Sequence, residues 1–539
     1  MKRILILGLF FLLAGQANAQ LKFIARFEVP GQAYDPVFEM QRIPNGLVSF
    51  RTFLDRTISN NMVFQYFVSD TDLNTPRLVS LPVKPGYEMI GYDADGMNLF
   101  VLLSKGFTPG SDKYILQVNL ENNQGYEYPT ESILPLELVE FLVQKRKAVF
   151  MGNSEGRPVI QIFDLDDKSI RTVQGIYGNN TQVMQIMKLP ELESLEVVVS
   201  RKGQYKDLET SILTFDMQGN LVREVKVDNF GDSGQEILEG LLLADENYQQ
   251  VMIGSYGLGG RGAYQGMYIM EINEFGEYGF KRYTLEDFPN FYNYLEEKQK
   301  TKRDKEVLEE LEKGKVPSIR NTYSIRDVRE TADAYYLYFD QINIVSSRGG
   351  RPGGFSSNNY PYRYDRLSRM GYAPYYMDPL ISPTMPVQTF SVVNEYQYES
   401  AHFVKVAKTG QVIWDNSATY NGFVTSYPEP FGEIAVVGDD LFHLYAENDQ
   451  IKVSYFRNGE RILEHATFPI ELTNENERIR YTDFGTLRLV HWYEGYFIMT
   501  GQQTIRSLSP DGKEQIREVF FMSKILLDGD LYQPKEEQD

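Results

Sequence analysis

The chain holds four histidines, His402, His443, His465 and His491, and no cysteine. A helix-borne zinc site draws on His-Glu-x-x-His or a related Glu-x-x-His spacing. None of the four histidines has such a neighbour. His402, His443 and His491 fall in or beside alternating, strand-like runs, so they are expected to be ordinary strand residues. Without cysteine the chain has no thiolate nucleophile, no Cys-ligated metal and no disulfide.

The run Gly257-Leu258-Gly259-Gly260-Arg261-Gly262 invites a phosphate-loop reading. That chemistry needs a helix N-terminus after the glycines. Ala263 to Ile272 reads as a strand instead, so a turn within a sheet is expected. Asp70-Thr71-Asp72-Leu73-Asn74 carries the first three ligand positions of a calcium loop. It lacks the sharp-turn glycine, and Leu81 stands where the closing acid belongs. Asp164, Asp166 and Asp167 likewise read as hairpin-turn residues. No nucleophile elbow of the Gly-x-Ser-x-Gly type stands out. A glycosidase needs two carboxylates facing across a cleft, and 74 acidic residues nominate no pair. The inventory points away from catalysis and names no cofactor and no metal.

At the start, Lys2 and Arg3 precede an apolar run from Ile4 to Ala14, and Ala17-Asn18-Ala19 precedes Gln20. This is the pattern of a cleaved export signal spanning 1–19. The apolar run is shorter than the roughly 20 residues a membrane span needs, so the mature protein is expected not to span a membrane. A lipoprotein anchor would need a cysteine at the cleavage point. The expected location is the periplasm or the outer-membrane surface. Formal charge is −20, and −22 once Lys2 and Arg3 leave with the leader. That balance argues against nucleic acid as the partner.

The elements that would position any site are strands. Ser211 to Val227 (SILTFDMQGNLVREVKV) shows period 2, a short turn at Gln218-Gly219-Asn220, and period 2 again, which predicts a β-hairpin. Similar units begin near Phe38, Tyr87, Leu136, Gln182, Glu236, Tyr323, Phe431 and Asp483, the first five about 50 residues apart. Four short strands per roughly 40 to 50 residues is the propeller-blade pattern. The predicted fold is all-β: a seven- or eight-bladed β-propeller in one domain over 20–539. Two β-domains or a pair of sandwiches are the alternatives. Leu21–Val29 is expected to pair with Glu518–Leu527 and close the ring.

Two insertions interrupt the array. The first, 289–315, predicts a charged helix from Phe291 to Leu311, stopped at Gly314, with Leu308 and Leu311 pinning it to the body. The second, 346–386, is a loop rich in Gly, Arg and Tyr. Its length marks it as functional or disordered. Its candidate partner-binding residues are Arg348 and Arg351, then Tyr360, Tyr362, Arg363, Tyr364 and Arg366, then Arg369, Tyr372, Tyr375 and Tyr376. Tyr and Arg are the residues that anchor interfaces and stack on rings.

Tyr396 to Asn416 (YQYESAHFVKVAKTGQVIWDN) resembles a segment of a family of exported proteins from Bacteroidota-type bacteria. Tyr398, Ala401, His402, Gly410, Trp414, Asp415 and Asn416 carry the likeness, while Ala407 replaces the usual turn acid. The resemblance implies an envelope location and a propeller-like fold, with no activity attached. Trp414 is expected to plug a blade interface, and Asp415 and Asn416 to shape a following turn. The reading that results is a non-catalytic envelope propeller acting as a protein-binding or scaffold subunit. A carbohydrate-binding or carbohydrate-active propeller is the alternative.

Overall fold

The computed structural model describes residues 21–527 apart from 33–34, 56–60, 75–76, 107, 131–132, 180, 203–207, 228–229, 231–233, 245–247, 259–262, 347–393, 426–431, 475 and 509–513. The strands pair antiparallel into eight sheets, one for each unit expected from the sequence. These are the eight blades of a β-propeller. Their first strands are Glu39–Ile43, Glu88–Asp95, Glu137–Gln144, Thr181–Leu189, a broken pair Gln235–Ile237 and Leu241–Ala244, Thr322–Glu330, Glu433–Val437 and Glu477–Tyr493. First strands of neighbouring blades touch one another in most seams, which places them along the axis.

The physics of a blade is visible in one strand. In blade 2, Leu99, Val101 and Leu103 enter the core shared with blade 1. Phe100 and Leu102 enter the core shared with blade 3. Alternation here does not separate apolar from polar; it sends successive apolar residues to two different neighbours. The same split occurs in blade 4, where Val197 and Val199 face blade 3 and Val198 faces blade 5. The buried clusters number eight, one in every seam around the ring.

The predicted hairpin is present as Leu208–Asp216 and Leu221–Val227 in blade 4. Asp216 accepts the Gln218 and Asn220 amides on Oδ1 at 2.9 and 2.8 Å. Gly219 holds φ +82 at the turn, a value glycine adopts without strain. A register shift after Thr214 puts Leu221 out of step with Val225 and Val227, and Leu221 is 52% exposed rather than sharing their face.

Ring closure follows the expected pairing. Lys22–Pro30 lies antiparallel to Glu514–Leu526 as the outer strand of blade 8, with Val29 opposite Phe520. The first and last described strands therefore lie in one sheet. Arg517 joins Glu28 and Glu477 at 2.9 and 2.7 Å. Arg26 donates to Glu28 at 2.7 Å and to Gln503 at 2.8 Å. That network touches all four strands of the closing blade.

The first insertion differs from the expectation. The helix, α1, runs Glu297–Glu312, not from Phe291. Phe288 and Phe291 are buried between blades 5 and 6, and aromatic burial there overrides the helical pattern. Gly314 ends the helix as expected, with φ +67 and its amide on the Leu311 carbonyl. Leu308 does not pin the arm: it is 59% exposed, and Val307 packs on the blade 5–6 core in its place. Leu311 is half-buried.

Candidate functional site

Around the axis, polar side chains clasp neighbouring first strands. Asp93 accepts the Val143 amide at 2.7 Å and Asp95 accepts the Lys145 amide at 2.7 Å, which fixes blades 2 and 3 in parallel register. Lys188 reaches back from blade 4 to Asp93 at 2.7 Å and to the Ala94 and Val143 carbonyls. Gln144 donates to the Leu189 carbonyl, and Gln185 makes a two-way pair with Leu242. Glu239 of blade 5 accepts Ser324 of blade 6 at 2.6 Å. Arg42 of blade 1 donates to the Trp492 carbonyl of blade 8 at 2.8 Å. These polar groups hold the ring together.

The histidines occupy separate places. His402 is buried against Phe291, with ring centroids 4.1 Å apart, and shares a hydrogen bond with Ser400 at 2.8 Å. Burial holds its imidazole down at about 3, so it is neutral. His491 is held at about 3 by burial, with Arg329 and Arg42 adding to the effect. His443 belongs to a buried network in the blade 6–7 seam. There Arg326 donates to Asp340 at 2.8 Å, Tyr420 donates to Asp340 at 2.7 Å, and the Tyr338 and Tyr420 hydroxyls meet at 2.6 Å. Every member of this network is buried. Burial raises the Asp340 carboxyl, and Arg326 opposes that. His402, His443 and His491 are strand residues, as expected. Among the described residues, no three His, Asp or Glu side chains are arranged to hold a metal.

The turn motifs resolve as turns. Asp70 caps its own loop through the Asp72 and Asn74 amides. Asp164 accepts the Asp166 amide and pairs with Lys147, and Asp167 accepts the Ser169 amide. Of the glycine run, Gly257 and Leu258 end a strand that pairs with Ala263–Ile272; 259–262 lie outside the described residues. The carboxyls raised by burial sit on separate strands: Glu88 in blade 2, Glu196 in blade 4, and Asp340, Glu399 and Asp415 in blade 6.

One face of the ring gathers the additions. Each first strand starts on it, here termed the upper face, so the linkers between blades and the turns between second and third strands lie there. Helix α1 sits in the linker from blade 5 to blade 6. The second insertion leaves between Ser346 and Asn394, the second and third strands of blade 6. The candidate partner residues from Arg348 to Tyr376 lie outside the described residues.

The distinctive Trp-Asp-Asn segment opens the outer strand of blade 6, towards the opposite face, and receives the chain that leads to the helix. Trp414 packs in the blade 6–7 seam, as expected of a plug, with Tyr336 edge-on at 6.1 Å. Asp415 and Asn416 do not shape a turn; they lie inside the outer strand Val412–Thr425. Asp415 accepts the Asn290 amide at 2.9 Å, Asn416 accepts Asn293 Nδ2 at 3.1 Å, and Ser417 Oγ accepts the Tyr294 amide at 3.1 Å. They bind the approach to the helix against the blade's open edge. Burial pushes the Asp415 carboxyl up to about 6, against the pull of the Asn290 hydrogen bonds.

Glu477 to Arg488, where arginines alternate with exposed aromatic rings, is not among the sites expected from the sequence. Its signal was present: Arg478, Arg480 and Arg488 interleave with Tyr481 and Phe484.

These features define an eight-bladed β-propeller with one elaborated face. No family model matches the chain, and no curated protein matches it. Among solved structures it aligns with the β-propeller domain of the trilobed protease from Pyrococcus furiosus at 10% identity and TM-score 0.32, over 80% of this chain and 97% of that one. It aligns with the Pyrococcus horikoshii acylaminoacyl peptidase at 9% identity and TM-score 0.32, over 80% of this chain and 52% of that one, thus spanning about half the peptidase. The polysaccharide lyase Uly1 aligns at 10% identity and TM-score 0.35, over 94% of this chain and all of that one. At these values the likenesses add nothing to the architecture read from strand pairing.

Proposed function

We propose that this chain is an exported envelope protein whose upper face binds another protein, as a scaffold or adaptor subunit. The observation that supports the reading is that both insertions leave the ring from that one face. A propeller is a rigid platform, and function on such platforms is set by what is grafted on a face. Helix α1 presents Lys298, Lys302, Lys305 and Leu308 to solvent, while Asn293, Asp415 and Asn416 hold its base. Export rests on the leader pattern at 1–19. The carbohydrate alternative is favoured by one observation, the arginine and aromatic surface of blade 8 taken up below.

The test is affinity capture of the tagged mature protein from its native envelope, beside a variant lacking 346–386. The proposal expects a stoichiometric protein partner that is lost or weakened in the variant. No partner with either form would contradict it.

A further inference from the structure

We infer that the overhanging part of blade 8 is a binding surface for an acidic polysaccharide of the polyuronate type, separate from the protein-binding role proposed above. Its first strand has 17 residues, against 9 or fewer in the unbroken first strands of the other blades. Part of the excess is a bulge over 484–487 and the rest lies at its start, so the sheet extends past the ring on the upper face. On one side of that extension, Arg478 stands directly opposite Arg506, and Arg506 opposite Ile516. Tyr481 stands opposite Thr504. A bulge between Ile479 and Tyr481 makes Arg480 the extra residue and re-aims it. Tyr481, Phe484 and Ile516 are 58%, 48% and 51% exposed, and the Tyr481 and Phe484 rings lie 6.4 Å apart.

Two observations say this surface awaits an anion. Like charges directly across a strand pair oppose pairing, yet Arg478 faces Arg506. Glu514 neutralises Arg506 at 2.6 Å, whereas Arg478 and Arg480 make no ion pair among the described residues. The same side also carries Glu518 opposite Thr504 and Asp483 opposite Gln502, so the excess of positive charge is confined to Arg478 and Arg480 at the tip of the overhang. The reverse side of the sheet is braced: Thr482 accepts Gln503 at 3.0 Å, and Gln503 accepts Arg26 at 2.8 Å. The arginines and rings are therefore presented by a rigid backing.

The ligand class follows from the chemistry. Guanidinium groups take carboxylates through paired hydrogen bonds. Exposed aromatic faces stack on flat, C–H-bearing rings. A polyuronate offers both in every residue, and its flat chain suits an open sheet. An acidic peptide would seat apolar side chains in pockets, and this face is a sheet surface.

Calorimetric titration of the mature protein with polygalacturonate oligomers tests this, with neutral dextran and poly-glutamate as controls. Binding to polygalacturonate, weakened by salt and absent for dextran, is expected. The double variant Arg478→Gln/Arg480→Gln should lower affinity about tenfold. Tyr481→Ala should lower it about threefold or more. Neither should shift the melting temperature, because all three residues are exposed. Absence of binding, equal binding by both variants, or poly-glutamate binding as tight as polygalacturonate would overturn the inference. The last outcome would assign the surface to acidic peptides.

Discussion

Single residues carry more than their sequence neighbourhood discloses. Gly459 holds φ +82, and a Cβ there would meet the Trp414 Cβ at 2.7 Å. Gly459→Ala is thus expected to cost about 1–3 kcal/mol through both strain and the displaced indole, read by urea denaturation. Asp415 gives a pH signature. Its folded pKa of about 6 lies above the unfolded value, so the folded state binds the extra proton between about pH 4 and 6. The stability this supplies is complete below about pH 4 and is lost as pH rises through 6. Asp415→Asn should flatten the decline in melting temperature across that window; an unchanged slope would refute the assignment. In the sequence, Asp415 looked like a turn former because its contacts, Asn290 among them, lie 125 positions away. Local pattern has no access to partners at that separation.

Elements were more legible than their ends. The unit starts near Phe38, Tyr87 and Leu136 fall one residue before the observed first strands at Glu39, Glu88 and Glu137. Turn chemistry and alternation are local, so they print clearly in the sequence. The aromatic run Phe291-Tyr292-Asn293-Tyr294 has a spacing that suits a helix, and tertiary burial decides otherwise. Phe291→Ala should therefore cost about 3–5 kcal/mol, while Leu308→Ser, on the exposed side of α1, should stay within about 0.5 kcal/mol. The opposite ranking by denaturation would return the pinning role to the helix. The closing strand is a second element-scale test. Removing Leu21–Pro30 strips Val29, Phe27 and Ala25 from the blade 8–1 seam and Leu21 and Phe23 from the blade 7–8 seam. A loss of more than about 5 kcal/mol is expected. An unchanged unfolding midpoint would show that the ring does not depend on this clasp.

At the scale of the molecule, the ring and the segments inserted into it separate cleanly. Eight seams and the axial clasps bind blade to blade, and both insertions leave the ring from one side. The array was legible because every blade repeats one pattern. The arginine surface of blade 8 was not, because its exposure depends on how far one blade overhangs the others. The central claim is that partners meet the upper face. Cross-linking mass spectrometry on the intact envelope reads that directly through lysines. Lys298, Lys302 and Lys305 lie on helix α1, in the linker that leaves the upper face, and Lys145, Lys168 and Lys408 lie at turns on the opposite one. The account predicts intermolecular cross-links concentrated on the first three. Cross-links concentrated on Lys145, Lys168 and Lys408 would contradict it.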